Sequence, residues 1–351
     1  MLQDELYMKR CLELAANGLG SVAPNPMVGC VIVHDGKVIG EGYHRLYGQA
    51  HAEVNAIEAV KEKDLLKQST LYVNLEPCAH SGKTPPCAKL IASLGVPRVI
   101  IATVDPFDRV NGQGIALLKQ AGCQVEVGVL AREAEELNRR FFIFQLRKRP
   151  YIILKWAQSG DGFLDRNRDK TKESPSWITD ETCRILVHKW RTEEQAIMVG
   201  TRTALLDNPQ LTARSWQGNQ PVRILVDRKL AVPKDARIFE DSSEVIVLNT
   251  VKQGIEANVH FVKIDFEHLP AETLTELYGR SLQSVIIEGG AYLLRSFIEG
   301  GTWDEARIFT GPKDFRDGVK APPLQGYCLV SEKIGNSRLD IFRNPEQALG
   351  S

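Results

Sequence analysis

Apolar positions over residues 1–147 alternate between a helical and a strand period. Leu6, Cys11, Leu12, Leu14 and Ala15 share one helical face behind Asp4, which the spacing predicts as a cap. VGCVIV and KVIGEGYH flank His34-Asp35-Gly36, and Asp-Gly between two strand-like runs predicts a hairpin. A helix from about His51 (HAEVNAIEAVKE) follows, then a strand (TLYVNLEP) and a helix behind Pro85-Pro86 (CAKLIASLG). Strand RVIIATVD, helix GIALLKQAG, strand CQVEV and a helix through AREAEELNRR complete the segment. Strands separated by helices predict an α/β fold, its largely parallel central sheet covered on both faces.

The charged, Pro-terminated Arg147-Lys148-Arg149-Pro150 is the expected boundary, dividing the chain into domains 1–147 and 151–351. Behind it the alternation resumes: strand YIILKWA, a helix near 180–191, strands QAIMVG, VRILVD and EVIVLN, helix AETLTELYGR, strand SVIIEGG and helix AYLLRSFIEG. No repeat relates the halves. Arg166 to Ser176 is polar and reads as a loop, and the Pro- and Gly-rich tail after Gly311 is weakly patterned.

Composition narrows the function classes. Lys plus Arg equals Asp plus Glu at 44 each, which argues against a basic surface tracking a nucleic-acid backbone. No apolar run reaches membrane-spanning length, and MLQDELYMKR lacks a signal-peptide pattern. Seven cysteines, an odd and sparse count, fit a reducing compartment, so a cytoplasmic protein is expected.

The strongest chemistry is His51-Ala52-Glu53 with Glu76-Pro77-Cys78 and Pro86-Cys87 downstream. His-x-Glu followed by Pro-Cys steps is the signature of zinc nucleobase deaminases. One imidazole and two thiolates hold zinc and leave a fourth position open for water, whose pKa the metal lowers toward neutrality. Each candidate ligand falls near a predicted helix N-terminus, where unpaired N–H groups favour thiolate. Glu53, two residues from the histidine, can reach that water and carry protons without ligating the metal. A purely structural zinc site is the alternative, with His80 as fourth ligand. Cys11, Cys30, Cys123, Cys183 and Cys328 read as structural cysteines.

Eight residues, AHSGKTPP, separate Cys78 from Cys87 where the generic signature has two, and His80, Lys83 and Thr84 could meet an anionic group. PNPMVGCVIV, GEGYH, HAEVNA and LEPCAHSGKTPPC together resemble the bifunctional riboflavin-biosynthesis family of diaminohydroxyphosphoribosylaminopyrimidine deaminase/5-amino-6-(5-phosphoribosylamino)uracil reductases. The resemblance implies Zn2+ on His51, Cys78 and Cys87, with Glu53 as proton shuttle. It also suggests substrate contacts from Asn25, His44, Lys83 and Thr84, although Asn25-Pro26 alone reads as a turn and His44 as a surface histidine.

In the second half no G-x-G-x-x-G follows a strand, so a Rossmann site is not indicated. SVIIEGGAYLL, a strand running through Gly289-Gly290 into a helix, is the best phosphate cradle, though plain packing explains it equally well. KWAQSGDG, SWIT, WRTEEQAIMVGTRTALLDNPQLTAR and IIEGG resemble, in that order, the dihydrofolate-reductase-like domain of the same family. The resemblance implies NADPH contacts from Ala157, Trp177, Thr203, Asp207, Gly290, Ala291, Tyr292, Leu293, Leu294, Arg295 and Ser296. It implies substrate contacts from Arg191, Leu211, Arg214, Glu288 and a serine before Trp177, for which Ser174 is preferred over Ser176. SGDG departs from the family's Ser-Leu-Asp-Gly. Arg191 and Arg214 fit a phosphate clamp or, alternatively, surface salt bridges. Lys155 is the candidate cation assisting hydride transfer, or else a solvated strand residue.

The expected architecture is therefore an N-terminal cytidine-deaminase-like domain followed by a dihydrofolate-reductase-like domain. The expected partner is a small-molecule nucleotide, with no nucleic acid and no membrane, and a homo-oligomer is expected. A nucleic-acid base deaminase and a non-catalytic zinc-stabilised cofactor sensor are the rival readings. Zero net charge, the long Cys–Cys insertion and the second domain disfavour the first.

Overall fold

A computed structural model describes residues 2–79, 86–108, 110–168 and 177–347. The chain forms two compact units, Met1–Lys148 and Arg149–Ser351.

The first unit runs α1 (Leu2–Ala16), β1 (Gly29–His34), β2 (Lys37–Tyr43), α2 (Ala52–Ala59), β3 (Thr70–Leu75), α3 (Cys87–Ser93), β4 (Arg98–Thr103), α4 (Gln113–Gln120), β5 (Gln124–Val127), α5 (Ala131–Leu137) and α6 (Arg139–Arg147). Its five-stranded sheet has the order β2-β1-β3-β4-β5. Side chains alternate across the strands. Cys30, Ile32, Val73, Val99 and Ile101 pack under Ala52, Ala56, Ala88, Ile91 and Leu118 of α2, α3 and α4. Val31, Val33, Tyr72, Ile100 and Ala102 face Tyr7, Met8, Cys11 and Leu14 of α1 and Ala134 of α5.

The expected largely parallel sheet holds here only for β3, β4 and β5; β1 is antiparallel to both neighbours. The hairpin reverses β2 against β1, and the α2 crossover brings β3 back running with β2. Asp4 is not a cap but lies inside α1, accepting from the Tyr72 hydroxyl at 2.7 Å and from Arg98 at 3.2 Å. The single helix expected through AREAEELNRR is broken at Asn138, whose amide bonds both Met27 N and Met27 O at 2.8 Å.

The second unit runs β6 (Tyr151–Gln158), β7 (Phe163–Asp165), α7 (Glu181–Glu193), β8 (Ala196–Gly200), α8 (Thr201–Asp207), β9 (Val222–Val226), β10 (Val245–Asn249), β11 (Gly254–Glu256), β12 (Val259–Lys263), α9 (Leu269–Gly279), β13 (Ser284–Ile287), α10 (Ala291–Glu299), β14 (Glu305–Thr310), β15 (Val319–Lys320), β16 (Tyr327–Ile334) and β17 (Ser337–Arg343). Its main sheet has the order β11-β12-β10-β9-β8-β13-β6-β14-β17-β16. Strands β12 through β14 in that order are parallel, and β11, β17 and β16 close its ends antiparallel. The weakly patterned tail therefore contains a hairpin, β16–β17. Its outer strand is exposed almost throughout, so no alternation of apolar and polar positions marks it. Cys328, expected to be structural, is exposed on that strand. No helix among the described residues is long and apolar enough to cross a membrane.

Candidate active sites

In the first unit, β2 delivers the chain to His51, the N-cap of α2, and β3 delivers it to Cys78. Cys87 opens α3. These turns bring the three residues together: His51 Nδ1 lies 3.6 Å from Cys78 Sγ and 3.4 Å from Cys87 Sγ. Zinc–sulfur and zinc–nitrogen bonds at a tetrahedral angle require a sulfur–nitrogen edge of about 3.6 Å, so the donor set fits zinc. It is the one such group of three among the described residues. The Cys87 thiol donates to Cys78 and holds its pKa well below the ordinary thiol range, with help from His51 and from the Cys87 N–H, 3.4 Å from Cys78 Sγ. Cys78 in turn is the first cause raising the His51 pKa.

Glu53, in the first turn of α2, is 3% exposed, and burial raises its carboxyl above the usual range. His44 lies edge-on to His51, ring centroids 5.4 Å apart. It is buried, not on the surface, with Nδ1 3.0 Å from the Ala50 carbonyl and Nε2 3.1 Å from Asn25 Nδ2. Burial lowers its pKa. His80, Lys83 and Thr84 lie outside the described residues.

Sequence reasoning quoted Glu76 within a motif but gave it no role. Its carboxylate is 3% exposed and receives four backbone N–H groups. Asp105 and Gly112 donate to Oε2 at 3.3 and 2.9 Å, and Gly114 and Ile115 to Oε1 at 2.9 and 3.2 Å. Glu76 thus caps α4 from another element and fixes it against the Pro77-Cys78 turn. A Cβ on Gly114 would come within 2.0 Å of the Pro77 carbonyl, so only glycine allows that approach. Asp105, also missed, is buried, and burial raises its pKa to about 7. Each of these bonds joins residues far apart in the chain, which no local pattern announces.

In the second unit Glu288 and the Gly289-Gly290 turn lie past the carboxyl end of β13, where open α/β sheets bind ligands. Glu288 follows β13, its N–H bonded to Met198 O, and Gly200 N bonds Gly289 O at 3.2 Å. Gly289 has φ +130°, a conformation glycine supplies, and Gly290 N donates to Thr203 Oγ1 at 3.0 Å. Ala157 lies on β6, and Lys155, two residues earlier, is partly buried. Burial lowers the Lys155 pKa, while Glu288 opposes the shift.

The expected two-arginine clamp is modified. Arg191 is already engaged: Nε and Nη2 donate to the two Glu288 oxygens at 3.2 and 2.8 Å, and Nη1 to Thr212 O at 2.9 Å. Arg214 is exposed and makes no hydrogen bond or ion pair among the described residues. Leu211 is 2% exposed, its side chain packed in the core. Leu293 and Leu294 are likewise core side chains. Ser296 bonds back to Leu293 O, whereas Ala291 is partly buried and Tyr292 and Arg295 are exposed. Asp207 accepts from Arg168 at 2.5 Å, an arginine that Asp165 also holds. Trp177 is exposed under the Arg184 guanidinium, 4.7 Å away. Ser174 and Ser176 lie outside the described residues.

The comparisons with known proteins divide the chain in the same order. Residues 1–103 match the cytidine and deoxycytidylate deaminase zinc-binding region, and residues 150–319 match the RibD C-terminal domain. A cytidine-deaminase-like unit followed by a reductase unit defines a bifunctional deaminase/reductase. The chain is 41% identical to riboflavin biosynthesis protein RibD of Bacillus amyloliquefaciens, over 92% of this chain and 87% of the relative. With that of Aquifex aeolicus it shares 39% identity over 94% and 93%. Its fold matches the Thermotoga maritima diaminohydroxyphosphoribosylaminopyrimidine deaminase/5-amino-6-(5-phosphoribosylamino)uracil reductase with a TM-score of 0.88 at 37% identity, covering 98% and 99% of the two chains. Acinetobacter baumannii RibD matches at 0.88 and 33%, covering 97% and 99%. The chain belongs to the RibD family, and its deaminase and reductase activities serve riboflavin biosynthesis.

Proposed function

We propose that the first unit hydrolytically deaminates 2,5-diamino-6-(ribosylamino)pyrimidin-4-one 5′-phosphate, and that the second reduces the product's ribosyl group to ribityl with NADPH. The observation carrying this reading is the convergence of His51, Cys78 and Cys87 at zinc-ligand spacing beside the buried Glu53. These three residues would hold Zn2+, which when bound supplies a water polarised toward hydroxide. Glu53 moves the proton from that water to the departing amine, so that water and the amino-bearing carbon yield a carbonyl and ammonia. Asn25 and His44, bonded to each other next to His51, orient the ring. Lys83 and Thr84 are proposed to meet the phosphate.

In the second unit NADPH, when bound, supplies the hydride. Thr203, Asp207 and the Gly289-Gly290 turn form its cradle, with Ala157, Trp177 and the exposed side of α10 flanking it. Lys155 provides positive charge where the ribosyl carbon attached to the amine is reduced, and Glu288 holds that cation close. Arg214 takes the phosphate, with Arg191, pinned by Glu288, beside it. Ser174 and the Leu211 backbone complete the substrate contacts. The near-neutral composition and the lack of a long apolar helix among the described residues support a small-molecule enzyme of the cytoplasm.

The test incubates pure protein with the diaminopyrimidine nucleotide and follows ammonia and NADPH together. Ammonia release and NADPH oxidation in equal amounts are expected, with zinc bound to the chain. Neither product from a folded, zinc-loaded chain would refute the assignment.

A further inference from the structure

One turn before Arg191 on α7, His188 is 6% exposed. Its Nδ1 is buried without a hydrogen-bond partner. An unsatisfied buried polar atom costs about 1–3 kcal/mol and calls for a physical reason. The charged groups acting on the ring are Arg191 from its own helix, Arg214 from the loop beyond α8 and Glu288 from the end of β13; the Thr212 backbone carbonyl also accepts from the ring, which leaves Nδ1 as the nitrogen without a partner. Lys155 of β6 interacts electrostatically with the same Glu288 and Arg191. Two of these neighbours are the arginines read as the phosphate site, and one of the two has no anionic partner of its own among the described residues.

We propose that His188 is a third recognition group for the substrate phosphate in the reductase unit, taking up a proton from solvent as the phosphate binds at Arg214. This rests on the reading of Arg214 and Arg191 as the phosphate site. In the free protein, burial first and the two guanidinium groups second push the imidazole down to about 4, so it is neutral. A bound dianion cancels the field of the arginines and adds a charge that favours imidazolium. The ring then gains a second N–H donor, and the buried nitrogen acquires an anion to bond. The cluster becomes two guanidinium groups and one imidazolium around one dianion. A neutral ligand of the same shape would leave the imidazole unprotonated, so the proton-linked contact favours the phosphorylated substrate over its nucleoside.

Inorganic sulfate is the probe because it stays a dianion from about pH 5.5 to about pH 8.5, so any pH dependence belongs to the protein. Its inhibition constant against NADPH oxidation is measured with the deaminated intermediate. In the native chain inhibition should strengthen as pH falls, approaching about tenfold per pH unit below the bound-state pKa. His188→Gln, which can donate a hydrogen bond but cannot titrate, should keep inhibition at high pH and lose the slope. Arg214→Ala should weaken inhibition at every pH. Independently of any variant, nitrogen-15 imidazole spectra of the native chain should show one neutral ring becoming cationic as sulfate is added near neutral pH. A flat native profile, an unchanged slope in His188→Gln, or no ring protonated by sulfate would each overturn the role of His188. Unchanged inhibition in Arg214→Ala would instead overturn the phosphate site beneath it.

Discussion

Glu76→Gln is the sharpest test of how the first unit holds its metal turn. Each Glu76 oxygen receives two backbone N–H groups, from Asp105 and Gly112 on one side and from Gly114 and Ile115 on the other. Glutamine retains one oxygen, so its amide must point hydrogens at two N–H donors whichever way it turns. Two hydrogen bonds to a charged acceptor are lost at about 1.5–3 kcal/mol each, together with the charge capping α4. A net loss of about 3–5 kcal/mol follows once local relaxation is allowed, against about 5–15 kcal/mol for a typical domain. The tryptophans, Trp156, Trp177, Trp190, Trp216 and Trp303, all belong to the second unit, so their fluorescence follows that unit alone. Zinc release to a chromogenic chelator follows the first. In urea the variant should release zinc at a much lower midpoint while the tryptophan transition stays in place. A zinc-release shift worth less than about 1 kcal/mol would refute the reasoning, because the four bonds would then add almost nothing to the turn.

Glu53→Gln should keep zinc yet lose about 10²- to 10⁴-fold in ammonia release, while the deaminated intermediate is still reduced; parallel ammonia and NADPH assays check this. Lys155→Met should slow NADPH oxidation by about 10²-fold or more and leave ammonia release intact. The pH dependence of stability follows from His188, whose folded pKa near 4 lies below the ordinary value of about 6.5. Its contribution is complete above about 6.5 and is lost as pH falls toward 4. His188→Gln should therefore flatten the acid limb of the tryptophan-detected stability profile between those values.

The convergence of His51, Cys78 and Cys87 was legible because these residues sit where strands hand over to helices, and short motifs mark such junctions. The β1–β2 hairpin was legible for a similar reason: Asp35 and Gly36 adopt φ of 46° and 73°, which Asp-Gly tolerates. What stayed hidden depends on partners distant in the chain. Arg191 read as part of a phosphate clamp or as a surface salt bridge, but Glu288, 97 residues away, occupies its fork in a largely buried pair. Asp4 looked like a cap until Tyr72 and Arg98 claimed it. His188 gave no signal because a histidine inside an amphipathic helix looks like any other polar interruption.

The bond between His44 and Asn25 has a consequence for what the deaminase pocket can recognise. A carbonyl only accepts, so the Ala50 oxygen obliges His44 to carry its hydrogen on Nδ1. Burial keeps the ring neutral, which leaves Nε2 as an acceptor and obliges Asn25 to present its NH2 there. The polarity of the chain is then fixed from backbone to amide tip, and Asn25 Oδ1 accepts from no group among the described residues. It offers a ligand a lone pair, never a hydrogen. A ring edge bearing an amino group or a ring N–H matches it, and a bare carbonyl at the same place meets repulsion. Under the substrate role proposed for Asn25, a donor-bearing edge is favoured over an acceptor-only edge by a relay that begins at a peptide oxygen one residue before His51.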